Sequence, residues 1–390
     1  MSRITEHLSA STLFSCFSTG TGWEEAFIAT TSTPDSSCVD ALTEIEKEYA
    51  AACDAKGLSD QTAAFSRLFV SDYVNQQAIL EKSALVKRLS RGACSIIEQK
   101  PVGSGPFSLF SYHVRNQNGN AVPKTAAGDG TFGCIRGKRY SLLFTANDAG
   151  EEAFDAYAQT GALFKTLKGT LDRNGMTLAG NTIRTWIFVH DVDNHYQNMV
   201  RARREFFTEH GLTDKTRYLA STGIEGCGRS PSRLVIMDSL SIGGLEAGQI
   251  VRMEAPGNLS PTILYGVTFE RGLRVRFGDR SHLYISGTAS INAKGEVLHT
   301  GDMEQQARRT FENVRALLNG HKAVMADLAY CIIYVRNRHE WAIAKRVIQK
   351  EIGRDIPLLA VEARVCRPAW LFEIEGMAIV PDSNGYPPLE

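Results

Sequence analysis

Neither sign of charge is in excess in this chain: Lys and Arg together number 43, and so do Asp and Glu. A protein that tracks phosphates or an anionic membrane surface carries a surplus of cations, so neither nucleic acid nor membrane is expected as a partner. None of the eight cysteines stands in C-x-x-C spacing, and they read as scattered thiols rather than a disulfide frame. Long apolar runs are missing as well. The opening MSRITEHLSASTLFSCFSTGTG lacks the hydrophobic stretch of a signal peptide, and no segment is long enough to span a bilayer. The expectation is a soluble, cytoplasmic protein with reduced thiols. The glycine pair Gly103–Gly105 is followed by neither a phosphate-loop Lys nor a Rossmann acidic residue, so no nucleotide cofactor is expected. His190–His195, HDVDNH, holds two His and two Asp, but without the i,i+4 spacing of helical ligands, and no metal is expected.

What is present suffices for sizeable cores: 390 residues, 43% of them hydrophobic and 22% charged. That length predicts two or three domains. One unit recurs along the chain: a helix, a β-rich apolar strand, a polar turn and a second helix. It is read first at 38–85, with Val39, Leu42, Ile45 and Tyr49 on one helical stripe. It returns at 153–207, with the strand Ile183–Val189, and at 303–352, with the strand Cys331–Val335. The strands GPFSLFSYHV (Gly105–Val114) and YSLLFTAN (Tyr140–Asn147) match PTILYGV (Pro261–Val267) and LYISGTAS (Leu283–Ser290) in order. Residues 1–37, rich in Ser and Thr, read as a strand-poor lead-in. The expected architecture is α+β, each module a mixed sheet with helices on one face. It divides into an N-terminal region with a partial degenerate repeat (1–100), a degenerate module (101–235) and a module carrying the site (236–390).

The stretch with most chemistry is VEARVCRPAWLFEIEGMAIV, Val361–Val380. Side chains alternate along a strand, so Phe372 and Ile374 face a core while Glu373 and Glu375 face the other way. A carboxyl in so apolar a segment must find donors or keep its proton. Cys366, seven positions earlier and across the corner at Pro368, falls within reach of the same pocket. The plain alternative is a small buried Cys and a salt-bridged Glu.

LYISGTASI, then GEVLHTGDMEQQARRTFENVRALL, RNRHEW and the terminal EIEGMAIV resemble in order the RidA/YjgF superfamily. The resemblance is clear over 255–380, weaker over 105–210 and a faint fragment over 38–85. RYLASTGIEG (Arg217–Gly226) and ARVCRPAWLFEIE (Ala363–Glu375) are most similar to the chorismatases, two-module, trimer-forming enzymes that act on chorismate. The resemblance implies tandem RidA-like modules of chorismate-mutase-like fold, a homotrimer, a pocket in the C-terminal module between subunits, a small carboxylated substrate and no cofactor. It implies Glu373 as the acid that protonates the enol ether, and Cys366 as a thiol used on the ring, with Arg364 or Arg367 lowering its pKa. Substrate carboxylates call for guanidinium forks, among Arg217, Arg271, Arg274, Arg276, Arg280 and Arg367; Arg276 and Arg367 are favoured. Ser286, Gly287 and Thr288 form the turn that offers backbone N–H and hydroxyl groups in the superfamily. A similar turn recurs at Ser221, Thr222 and Gly223, with Thr222 as its binding residue, and Tyr265 holds the aromatic position. FTAN (Phe144–Asn147) departs from that pattern, so the earlier module is expected to be structural. Two other readings stay open. One is a RidA-like enamine or imine deaminase, against which Leu358 stands where that family's Arg is expected. The other is a non-catalytic small-molecule-binding trimer.

Overall fold

The computed structural model describes residues 2–149 and 154–390, the side chains of 147–149 and of Tyr265 excepted. Its first module runs through β1 (Ser2–His7), β2 (Thr12–Ser18), β3 (Glu24–Thr31), α1 (Cys38–Lys56), β4 (Ala63–Val70), α2 (Tyr73–Lys82), α3 (Ala84–Leu89) and β5 (Ala93–Glu98). After the two-residue β6 (Lys100–Pro101), β7 (Phe107–Arg115) closes it. The second has β8 (Lys124–Ala126), β9 (Phe132–Arg136), β10 (Ser141–Ala149), α4 (Ala156–Arg173), α5 (Leu178–Asn181), β11 (Thr182–Val189), α6 (Val192–Glu209), β12 (Ala220–Glu225) and β13 (Val235–Gly243). The third has β14 (Ile250–Arg252), β15 (Gly272–Arg276), β16 (Arg280–Ala289), α7 (Met303–Asn319), β17 (Leu328–Val335), α8 (Trp341–Ile352), β18 (Leu358–Glu362) and β19 (Phe372–Pro381).

All three sheets are wired alike. Their orders are β1-β2-β3-β7-β4-β5, β8-β9-β10-β13-β11-β12 and β14-β15-β16-β19-β17-β18, with β6 added to the far edge of the third. In each, the last strand of the module inserts at the middle, antiparallel to both neighbours. The one parallel module pair joins the strands that flank the second helix: β4 with β5, β11 with β12, β17 with β18. The recurring helix–strand–helix unit is therefore real, and it belongs to three full modules.

The helices start and stop where side chains allow. Ser37 caps α1 by accepting from the Asp40 backbone N–H, and Gly57 ends it in the left-handed region at φ 63°. Asp155 and Asp302 cap α4 and α7 in the same way. Each module lays its helices on the outer sheet face: Leu42, Ile45 and Tyr49 on Ile28 and Leu68 in the first, Leu163 and Leu167 on Ile187 and Met237 in the second. Phe311 and Val314 pack with Ile333 and Ile374 in the third. Val39, expected on the α1 stripe, is exposed in the first turn. Among the described residues, no helix is long and apolar enough to cross a membrane.

The inner faces of the sheets meet at the centre of the molecule on aromatic rings. Phe27 stacks on Tyr112 at 4.9 Å, and Phe65 on both Phe144 and Trp186 at 5.3 and 5.9 Å. Two buried ionic clusters cross this centre. Arg67 pairs with Asp238 at 2.7 Å and lies 3.8 Å from Glu375, which also pairs with Arg184 at 2.8 Å. Glu25 of β3 receives Arg280 and His282, both at 2.8 Å, and the Tyr112 hydroxyl at 2.6 Å.

Three expectations are corrected. The Ser/Thr-rich start is no lead-in but the strands β1, β2 and β3. Thr suits a strand, and Thr12 finds a cross-strand partner in Thr30 at 3.3 Å. Gly105–Val114 does not open a new module: β7 pairs with β3 and β4 and completes the first sheet. Pro261–Val267 is not a strand but holds the 3-10 turn Thr262–Tyr265, ended by Gly266 in the left-handed region. The strand of that place in the sheet is β15.

Candidate active site

The alternation in β19 holds. Phe372 and Ile374 are buried towards the helices, with the Phe311 and Phe372 rings 6.0 Å apart. Glu373 and Glu375 point to the module junction, and their surroundings differ. Glu375 accepts from Arg184 Nη2 and Trp186 Nε1, each at 2.8 Å. Among the described residues none donates a hydrogen bond to the Glu373 carboxyl, which is 4% exposed. Burial, and then the nearby Glu375 charge, push Glu373 up to about 8 against the pull of Arg184 and Arg271. At neutral pH it holds its proton.

Register picks out this position from its two counterparts. Tyr334 of β17 faces Glu373, as Phe188 of β11 faces Ile236 and Phe69 of β4 faces Ser108. Of three equivalent places, one carries a carboxyl. The Asn147 side chain of the FTAN segment lies outside the described residues; β10 carries the same kind of register shift, between Thr145 and Asp148, that β16 carries between Ile285 and Thr288.

Glu373 opens onto a crevice of about 120 Å³ between the second and third modules. Ser221 and Gly223 of β12 form one wall and Gly287 of β16 another, with Tyr196 and Arg203 of α6 and the corner residues Cys366, Arg367 and Trp370 around them. Phe269 and Arg271 divide it from a second cavity of about 310 Å³. Both of these walls belong to one chain, and they come from the second and third modules rather than from the C-terminal module alone.

The crevice is cationic. Arg203 is 1% exposed, with Nε 3.1 Å from Thr268 Oγ1 and Nη1 3.5 Å from Ser221 Oγ. Its Nη2 has no hydrogen-bond partner, and among the described residues no carboxylate pairs with it. Burial holds this guanidinium below its usual range. A buried cation in that condition is costly until an anion meets it. Arg271 donates from Nε and Nη2 to the Ser260 carbonyl at 3.1 and 3.0 Å. Arg367 lies over the Trp370 ring at 4.9 Å and donates to the Gly295 carbonyl at 3.0 Å.

Of the expected residues, Glu373, Cys366, Gly287, Arg271 and Arg367 share the crevice, with Ser221 and Gly223 of the second turn. Gly287 is needed there: a Cβ on it would lie 2.3 Å from Glu373 Oε1. Its N–H is not offered to a ligand, because Thr222 Oγ1 accepts it at 3.0 Å. Ser286 and Thr288, one position either side, turn into the structure. Ser286 Oγ accepts from the Ser221 N–H at 3.0 Å and donates to the Glu270 carbonyl at 2.6 Å, and Thr288 Oγ1 donates to the Ser286 carbonyl at 2.9 Å. Thr222 likewise turns away from the crevice, to Arg184 at 2.6 Å. Arg276 lies elsewhere, 3.5 Å from Asp382 and over the Tyr386 ring, because its face of β15 meets the C-terminal segment. Arg274 and Arg280 are also ion-paired elsewhere, and Arg217 donates to the carbonyls of Ala179 and Thr182. Tyr265 ends the 3-10 turn, and its side chain is outside the described residues.

The surroundings of Cys366 run against the expected thiolate. Burial and the Glu373 carboxyl push the thiol up to about 12, outweighing the Tyr196 hydroxyl, Arg367 and Arg203. Arg364 gives no help, being half exposed and 3.7 Å from each of Asp191, Asp193 and Glu225. The residue that sequence reasoning missed is Arg203. Its signal was there: in α6 it follows Tyr196, Met199 and Val200 on the buried stripe, a cation where the helical period calls for an apolar side chain.

Residues 275–380 match the family described as Endoribonuclease L-PSP. The chain is 23% identical over 236 residues to a chorismatase of Streptomyces rapamycinicus, covering 54% of this chain and 67% of that protein. It is 23% identical over 246 residues to a 3-hydroxybenzoate synthase of Streptomyces hygroscopicus, covering 56% and 69%. A chorismatase crystal structure superposes with a TM-score of 0.61 at 18% identity, over 90% of this chain and 98% of that one, which establishes the shared fold. The chain is RidA-like and resembles chorismatases.

Proposed function

We propose that this chain is an enzyme of the chorismatase type, which protonates the enol ether of chorismate, or of a closely related carboxylated small molecule, and releases pyruvate. The observation that carries it is one crevice holding a buried, protonated carboxyl beside a buried guanidinium with no carboxylate partner. The first is a general acid ready at neutral pH, and the second requires an anion.

In this reading Arg203, with Arg271 and Arg367, holds the substrate carboxylates, and the small Gly287 wall brings the enol ether against Glu373. The Glu373 O–H bond breaks as a C–H bond forms at the enol-ether methylene, leaving an oxocarbenium ion and a carboxylate. Water adds through oxygen to the cationic carbon and returns a proton to Glu373. The hemiketal then splits into pyruvate and the ring alcohol, so one water is consumed. Loss of water from the ring would give a hydroxybenzoate, with no net water used. Cys366 lies beside the ring as a neutral thiol. The adjoining cavity of about 310 Å³ brings the space to the scale of small-molecule sites, roughly 300–1,000 Å³.

The test is incubation with chorismate and an assay for pyruvate. Release well above the spontaneous rate is expected, with a loss of at least about 100-fold in Glu373→Gln. No release from the folded protein would remove the reading.

A further inference from the structure

Arg184 of β11 is near enough to the acid to act on its charge and does not line the crevice. It is 2% exposed, and its Nη2 donates both to Glu375 Oε2 at 2.8 Å and to Thr222 Oγ1 at 2.6 Å. Thr222 Oγ1 also accepts the N–H of Gly287 at 3.0 Å, and Gly287 is the residue against which the Glu373 carboxyl is pressed. Arg184, Thr222, Gly287 and Glu373 thus form one contiguous patch. Within it, Arg184 Nη1 is buried and has no hydrogen-bond partner. A guanidinium nitrogen left unpaired in the core loses its hydration without replacement, and each such group calls for an explanation.

We propose that Arg184 is a positioning residue that takes the Glu373 carboxylate onto its Nη1 once the proton has been given up, bridging Glu373 and Glu375. This rests on the reading of Glu373 as the proton donor. When Glu373 ionises, it places a second negative charge beside Glu375, on the same face of the same strand. Two adjacent buried carboxylates do not both ionise unless a cation bridges them. The other charged or titratable groups around Glu373 and Glu375 do not supply that bridge: Arg67, 3.8 Å from Glu375, is paired with Asp238 at 2.7 Å. Arg271 is turned to the Ser260 carbonyl and the crevice, and Arg203 faces Ser221 and Thr268. Cys366 and Tyr334 are acids held protonated by burial. Arg184 already holds Glu375, so it compensates the new charge without moving far, and the gain arises only as the proton leaves.

The test titrates the full-length protein alone, by infrared spectroscopy of the protonated carboxyl, with the Glu373 band identified by its loss in Glu373→Gln. In Arg184→Lys, one ammonium cannot serve both carboxylates, so the Glu373 midpoint is expected to rise, its acid constant falling about tenfold. In Glu375→Gln the like charge is gone and Arg184 is released towards Glu373, so the midpoint is expected to fall by about the same factor. Damage to packing alone would not move one residue's titration in opposite directions in two variants. An unchanged midpoint in folded Arg184→Lys overturns the proposal. If that variant does not fold, an unchanged midpoint in Glu375→Gln overturns it equally. Because no substrate is present, the result stands whether or not chorismate is turned over.

Discussion

Glu373 sits where its own ionisation works against the fold. Below about pH 4.3 the carboxyl is neutral both folded and unfolded; above that the unfolded chain ionises freely while the folded one resists until about 8. The unfolded state therefore gains on the folded one throughout that window, and the stability present below it is lost as pH rises. Glu373→Gln removes the effect. Its unfolding free energy is expected to exceed wild type by a few kcal/mol at pH 8 and to converge with it near pH 4, measured by urea denaturation across pH. Equal stabilities at both pH values would mean that the carboxyl is not protonated in the folded protein. Residue by residue, strand alternation put Glu373 on the face away from the helices, whereas Gly287 entered only through the resemblance to the superfamily's turn. The sequence did not disclose that Thr222, Ser286 and Thr288 turn inward, because hydroxyls look alike whether they meet a ligand or a neighbouring carbonyl. Arg203 was hidden for another reason: a cation on a helix is ordinarily solvated, and only packing shows that this one is not.

Between elements, the first and third modules are joined by Glu25 of β3 against Arg280 and His282 of β16. Burial alone would raise Glu25, but His282, Arg280 and the Tyr112 hydroxyl outweigh it and bring the carboxyl down to about 2. A depressed carboxyl stabilises the fold above its unfolded pKa, and that stability is lost as pH falls from about 4.3 through 2. Glu25→Gln leaves the Arg280 guanidinium, 0% exposed, with Asp279 as its one counter-charge among the described residues. The expected loss is a few kcal/mol at neutral pH, shrinking below about pH 4, read by thermal melts at the two pH values. The elements of the repeat were legible because a helical stripe and a short β-branched run survive sequence divergence. The strands β1, β2 and β3 were not, since their Ser and Thr content reads as loop until cross-strand partners are known. The 3-10 turn at Thr262–Tyr265 was read as a strand for the opposite reason, its apolar residues suggesting burial that Ile263 and Leu264 do not have.

At the scale of the whole molecule, one chain supplies both walls of the crevice. Specific activity is therefore expected to stay constant on dilution from micromolar to nanomolar, whatever the state of association by sedimentation. A fall that tracks dissociation would show that a second copy contributes to the site. The sequence showed all three copies of the unit but read the first as partial, because that copy keeps the spacing of the unit and little of its composition. Joining three modules covalently has a consequence at their meeting point. Arg67, Trp186 and Ile332 hold the same place in the three sheets, and opposite them stand Phe110, Asp238 and Glu375. Three separate identical polypeptides around an axis would have to repeat one pair three times, setting like charge against like. A single polypeptide can give each face a different member, so that a cation from one repeat neutralises anions from the other two, and only one junction need carry a reactive acid.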